Sequence, residues 1–236
     1  MNFLSSIPAG GTIFNVIAVA AGSLIGLTVG RFIPERLHGG IFNCFGLFTM
    51  YLGLDMAMRT KHALAVLLSL TLGTIIGDLL NLDLRLNGLG DVLKARMRIS
   101  NARFTEGFVT STLLFCVGAM SIVGAFEDGL RHDPTLLVTK SVMDGIAALL
   151  LASSFGAGVL FSVIPLFIYQ AGLTFLASGA ETLVTPDMIA DISGLGGLMI
   201  LGIGLNLLKI TTLRLCDMLP GLILIVFFTM LFSHVL

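Results

Sequence analysis

Tryptophan is absent, tyrosine occurs twice, and only 11% of the 236 residues are charged. A soluble domain carries about a quarter charged residues, so this chain cannot clothe a water-facing surface, and a soluble globular enzyme is excluded. Charge is missing altogether from 107–126, 145–180 and 218–236. The net charge is −1, from 13 basic and 14 acidic residues, which leaves no basic surplus for nucleic acid. Cys44, Cys116 and Cys216 are odd in number and lie in or beside apolar runs, so they spell neither a disulfide framework nor a zinc site. The opening Met1-Asn2-Phe3-Leu4-Ser5-Ser6 has no Lys or Arg, and the first hydrophobic run is therefore expected to be retained rather than removed as a signal peptide.

Apolar residues make up 56% of the chain, and the mean hydropathy is +1.02. At about 20 apolar residues per crossing there is material for eight spans joined by short loops, and no room for an extramembrane domain. The expected class is an all-α polytopic membrane protein of seven to eight hydrophobic segments, with 1–236 as a single integral membrane domain. Spanning runs lie at 12–30, 39–58, 62–82, 106–126, 192–208 and 217–235. The run 142–178 has one charge, Asp144, and as one helix would reach about 55 Å at 1.5 Å per residue, against a hydrocarbon core of about 30 Å. Ser153-Ser154-Phe155-Gly156-Ala157-Gly158 has turn composition. The pattern predicts a short helix 142–154, a break, and a full helix 159–178, spanning twice or re-entering.

Basic residues arbitrate. Loop 83–105 carries Arg85, Lys94, Arg96, Arg98 and Arg103, which marks it as cytoplasmic and puts the N-terminus outside. With two passes, or re-entry, at 142–178, nine basic residues fall inside and four outside: Arg59, Lys61, Arg131 and Lys140. With one pass the split is seven to six and the bias disappears. The acidic stretch Glu181, Asp187, Asp191 then lies outside. Asp91 to Ile99 reads as a short basic amphipathic helix at the cytoplasmic headgroups.

A repeat is visible at offsets of about 150 residues. Gly46-Leu47 and Gly53-Leu54-Asp55 are spaced like Gly197-Leu198 and Gly204-Leu205-Asn206, and Gly11 to Ile17 matches Gly158 to Ile164. The matched spans run in opposite directions, as in an inverted-topology repeat with units 11–82 and 158–236. Transporters with such repeats bind their substrates at discontinuous helices between them.

Phe104-Thr105-Glu106-Gly107-Phe108, Leu114-Phe115-Cys116-Val117-Gly118-Ala119-Met120 and Gly124-Ala125-Phe126-Glu127-Asp128-Gly129 follow one another in order. Lys140 to Gly145, Ser162 to Gln170, Gly197 to Asn206 and Met218-Leu219-Pro220 continue the pattern, and Gly11 to Asn15 with Gly22 to Gly26 opens it. Over almost its whole length the chain resembles the YqgA/YdfK family of bacterial inner-membrane proteins, a family defined by a domain of unknown function. The resemblance implies an inner (plasma) membrane location and supports the fold; it implies no chemistry. Ala119 stands where that family often has Pro, so the resemblance alone gives no kink in the fourth span.

Asp144 is the most informative polar residue, with Lys140 one helical turn earlier on the same face. Ionisable groups inside a membrane are expensive and usually face a bundle interior or an aqueous cavity. The alternative is an exposed pair at the membrane boundary, in a helix first turn. Asn15, Asn43, Gln170 and Asn206 are amides in apolar spans, able to ligate a solute or to bond a neighbouring helix. Glu127–Asp128 reads as a solvated loop pair, and Ser121 with Gly118 and Gly124 as a packing stripe. Gly88-Leu89-Gly90-Asp91 spells a fragment of an aspartyl-protease motif but lies in the basic loop, with no second aspartate of the required kind. His38, His62, His132 and His234 sit at span ends or in loops without ligand spacing.

The expected function is a secondary transporter or channel for an ion or small polar solute, with a structural or regulatory membrane protein as the competing class. The expected substrate or ion site is Asp144, Gln170, Asn206 and Asn15, around a backbone break at Ser153, Ser154, Gly156 and Gly158. No enzyme activity, cofactor or metal is expected. The expected partners are the lipid bilayer and a small solute or ion, not nucleic acid; a homo-oligomer is compatible with the sequence.

Overall fold

The computed structural model describes residues 7–30, 32, 34–177 and 185–235. The elements run α1 (Gly10–Gly30), α2 (Glu35–Ala57), α3 (Ala63–Leu79), α4 (Leu82–Arg96), α5 (Phe104–Val117), α6 (Ala119–Arg131), α7 (Thr135–Phe155), α8 (Gly158–Phe161), α9 (Val163–Leu176), α10 (Pro186–Leu207), a 3₁₀ turn (Leu215–Met218) and α11 (Gly221–Val235). Among the described residues there is no strand. Among the described residues, five segments are long and apolar enough to cross a membrane: α1, α7, Gly158–Leu176, α10 and Leu215–Phe232. The bent pairs α3–α4 and α5–α6, each at 57°, bring the number to seven if each is one span. Large apolar side chains face outward along these helices, among them Ile17, Leu24 and Ile25 of α1 and Ile164, Phe167 and Ile168 of α9. Water would penalise that surface and lipid does not.

The region 142–178 breaks into two helices as expected, but its first helix is longer than the pattern predicts. Its first helix starts at Thr135, not 142, and is 21 residues long, so it crosses in full. Ser153 and Ser154 lie inside α7. The chain reverses at Gly156, whose φ of 82° is open to glycine without strain, and Asn101 Nδ2 donates to the Phe155 carbonyl at 3.0 Å to seal the turn. The break is thus a turn joining two full-length spans. Pro165 lacks the N–H that would reach Phe161, and the second of these spans is interrupted there, between α8 and α9. At the other end of α7, Asp133 accepts from the hydroxyl and the amide of Thr135, which holds its carboxyl below the ordinary carboxylate range.

The chain forms two compact units, Met1–Ile41 with Gly90–Cys116 and Met120–Leu183, and Phe42–Leu89 with Val117–Ala119 and Val184–Leu236. In the first, α1 and α7 pack side by side and parallel: a Cβ on Gly11 would meet Leu137, on Gly22 the Gly145 carbonyl, on Gly26 the Leu149 carbonyl, and on Gly30 the Ser153 carbonyl. Glycine every fourth residue lets the backbones touch where no hydrophobic force drives helices together. In the second unit α2 and α10 are antiparallel, and their glycines meet reciprocally. A Cβ on Gly53 would lie 2.7 Å from the Gly197 carbonyl, and one on Gly197 2.6 Å from the Gly53 carbonyl. Gly46 and Gly204 form the second such pair, at 3.4 and 2.9 Å. α3 and α11 also run antiparallel, with Gly73 against Gly221 and Gly77 against Asp217.

Candidate functional site

Because α7 begins at Thr135, Asp144 lies nine residues in, about 14 Å along the helix at 1.5 Å per residue. It is near the middle of a span, not in a first turn, and the boundary-pair alternative falls. Asp144 and Lys140 are 8% and 5% exposed and form an ion pair one turn apart. A buried pair of this kind needs further hydrogen bonds to offset the loss of water around both charges. Where those bonds come from defines the site.

One comes from a broken helix. The α5–α6 span bends by 57° at Gly118. In an unbroken helix the Phe115 carbonyl would accept from residue 119. Here it accepts from the Lys140 ammonium at 2.9 Å and from the Ser121 hydroxyl at 2.8 Å. Charged and hydroxyl donors thus replace the missing ladder bond, which is how a kink survives away from water.

The others come from amides. Asn15 Nδ2 donates to Asp144 Oδ2 at 3.1 Å and to Gln170 Oε1 at 3.2 Å. Gln170 Nε2 reaches Ser121 Oγ at 3.5 Å. The result is a closed ring: Lys140, Asp144, Asn15, Gln170, Ser121, the Phe115 carbonyl, and back to Lys140. It ties α1, α5, α6, α7 and α9 together within the first unit. Asn15, Phe115, Ser121 and Gln170 are fully buried. Asn15 Oδ1, however, has no hydrogen-bond partner, nor has Thr12 Oγ1 one turn earlier on α1.

The model of the family described as "Protein of unknown function (DUF554)" matches residues 10–230, which takes in every member of the ring. The chain belongs to the DUF554 family. It is 33% identical over 218 residues to "Uncharacterized membrane protein YdfK" of Bacillus subtilis (strain 168), covering 91% of this chain and 93% of that protein. It is 32% identical over 221 residues, with the same coverage, to "Uncharacterized protein YqgA" of Escherichia coli (strain K12). No solved structure matches. With its apolar spans and these relatives, this DUF554 chain is a multi-span helical membrane protein.

The other buried carboxylates of this DUF554 protein do a different job. Asp128 is not solvated: it is 3% exposed and accepts the Gly11 amide at 3.0 Å, at the start of α1. Asp191 lies inside α10, not in a loop, and takes the amides of Lys61 and His62 at 2.8 and 2.9 Å, His62 Nδ1 at 2.8 Å and the Thr229 hydroxyl at 2.9 Å. Asp217 accepts the Asp83 amide at 2.9 Å at the start of α4. Each satisfies the free N–H groups that open a helix, where negative charge is favoured. Among the described residues, Asp144 is the buried acid paired with a lysine in mid-helix instead.

Of the residues expected at the site, Asp144, Asn15 and Gln170 come together. Asn206 does not belong with them. It lies in the second unit, where its Oδ1 accepts from Leu213 N and Thr211 Oγ1 and its Nδ2 donates to the Leu213 carbonyl, so it folds its own loop. Ser153, Ser154, Gly156 and Gly158 end one span and start the next. Ser153 back-bonds to Leu150, and Gly158 packs on the Phe104 carbonyl. Asn43 is exposed. The sequence reading left Ser121 and the Phe115 carbonyl out of the site. Ser121, read as packing, had the polar atom to signal it; the carbonyl had no signal beyond Gly118. Gly124 does pack, against Leu137.

Proposed function

We propose that this protein is a secondary transporter or channel of the bacterial inner membrane, passing a small polar solute or ion through the first unit. The observation that carries the reading is the Lys140–Asp144 pair in mid-span, bonded to a carbonyl released by a helix break. Charge at that depth is retained at substantial cost, and broken spans that present main-chain carbonyls recur where transporters hold their ions. The ring's one negative and one positive group, with two amides and a hydroxyl, can orient either a cation or a polar molecule.

An inverted repeat is part of the same reading. Gly46 and Gly53 match Gly197 and Gly204 in sequence, and in the fold Gly46 meets Gly204 while Gly53 meets Gly197. Exchanging the two matched segments maps one contact onto the other, as a local two-fold axis between antiparallel helices requires. Segments 11–82 and 158–236 also divide alike, each giving its first span to the first unit and the rest to the second.

The deciding experiment is solute flux in reconstituted vesicles with Asp144→Asn. Loss of flux in a folded, inserted variant supports transport; unchanged flux removes the site. One observation favours a purely structural ring instead: Asn15, Gln170 and Ser121 are fully enclosed, as helix-joining hydrogen bonds would be. That reading expects the substitution to act on melting alone, so flux and detergent melting are measured on the same samples.

A further inference from the structure

The ring has the composition of a cation cage, and the following rests on the transport reading. The Lys140 ammonium is held by one carboxylate oxygen and one main-chain carbonyl, those of Asp144 and Phe115. The ring also holds Gln170 Oε1 and Ser121 Oγ, and Asn15 Oδ1 belongs to the amide whose nitrogen links Asp144 to Gln170. Carboxylate, carbonyl, amide and hydroxyl oxygens are the ligands that hard cations take. Asn15 Oδ1 is buried and accepts nothing, which is uncommon for a folded protein. Both hydrogens of the same amide's nitrogen are committed, to Asp144 and Gln170, so the spare lone pairs are suited to a positive guest and to no acceptor. Asp144 is the ring's single carboxylate. One negative charge balances one monovalent cation, while a divalent ion would leave the cage positive in a medium that punishes net charge.

Lys140 already supplies one such cation on a flexible four-carbon stem. We propose that the ring is a binding site for a small monovalent cation, sodium, potassium or ammonium, which exchanges with the tethered Lys140 ammonium. The side chain withdraws as the ion enters and refills the cage when it leaves, so Asp144 is paired in both states. A cage that never stands empty of positive charge can change its exposure with or without cargo.

The test is Lys140→Met, which keeps the stem and removes the charge. Melting is followed in detergent at fixed ionic strength in sodium, potassium, ammonium and N-methylglucamine chloride. In at least one small cation the variant's midpoint is expected to rise saturably by about 5–10 °C. The wild-type midpoint, its cage filled by Lys140, moves by under about 2 °C. The response disappears in Lys140→Met/Asp144→Asn. Equal midpoints for the single variant in all four salts overturn the proposal. A single variant that is recovered only with a small cation supports it; aggregation in every salt, while the double variant stays monodisperse, overturns it. Unaltered protein in vesicles supplies the arm that needs no variant: counterflow of radiolabelled sodium, rubidium and methylammonium. Cation-dependent melting without counterflow keeps the cation site and sinks the transport reading. Flux of another solute without any cation dependence keeps transport and overturns the cation site. If neither variant folds, absence of counterflow for all three cations overturns it too.

Discussion

Lys140 donates its ammonium to the carbonyl oxygen of Phe115 at 2.9 Å, 25 positions away in the chain. That bond joins the broken α5–α6 span to the charged helix α7, and it explains why one chain carries both features. A helix break at membrane depth leaves a carbonyl that must be bonded, and a buried lysine must be bonded as well. Each answers the other's need.

The amides of Asn15 and Gln170 should be energetically coupled. Asn15→Leu and Gln170→Leu are adjacent links of one ring, so their effects on melting should fall short of additive, with a coupling of about 0.5–3 kcal/mol. A double-mutant cycle in detergent measures it. Gln170→Leu should also weaken solute selectivity. Simple additivity would show that the ring does not act as a unit.

Asp191→Leu should separate stability from function. It strips the acceptor from the amides of Lys61 and His62, and each unsatisfied buried donor costs about 1–3 kcal/mol. The variant should melt earlier yet retain flux per folded molecule, the reverse of Asp144→Asn. Loss of flux at unchanged melting would give Asp191 a functional role instead.

Gly22→Ala should loosen α1 from α7. Its new methyl would collide with the Gly145 carbonyl, and backbone cannot step aside as a side chain can. Overpacking costs about 1–3 kcal/mol, so the melting midpoint should drop by about 3–10 °C. Gly40→Ala, with open space at its Cβ, is the control and should be neutral or slightly stabilising.

The topology expected is eight passes with both termini outside. Gly11 opposes Leu137 and Gly30 opposes Ser153, so α1 and α7 run parallel, and the chain between them must cross an odd number of times. Three passes are expected there: α2, which carries the apolar run 39–58, then α3, then the bent α5–α6. Lys140, now placed inside a span, leaves the outer side with Arg59, Lys61 and Arg131, which sharpens the inside bias of basic residues. In a background freed of Cys44, Cys116 and Cys216, Thr185→Cys should be labelled by an impermeant reagent from outside. Labelling from the cytoplasmic face alone would invert the assignment.

The membrane class, the helical architecture and four of the ring's residues, Asp144 with its helix neighbour Lys140, Asn15 and Gln170, were legible in the sequence. Charge scarcity and runs of spanning length act through composition, which needs no coordinates. Asp144, Asn15 and Gln170 stood out because a polar group in an apolar run is expensive wherever it ends up. What the sequence could not place was the partner of each. Asn15 and Asn206 are the same amide in similar runs, yet one closes the ring and the other folds a loop, since only packing sets what lies opposite. The helix break followed the same rule. Serine and glycine at 153–158 have turn composition and do make a turn, but between two full spans. The mid-span bend formed at Gly118, where Lys140 and Ser121, distant in sequence from one another, could satisfy the released carbonyl. Local composition says where a backbone can break; tertiary structure decides where the broken bond is replaced.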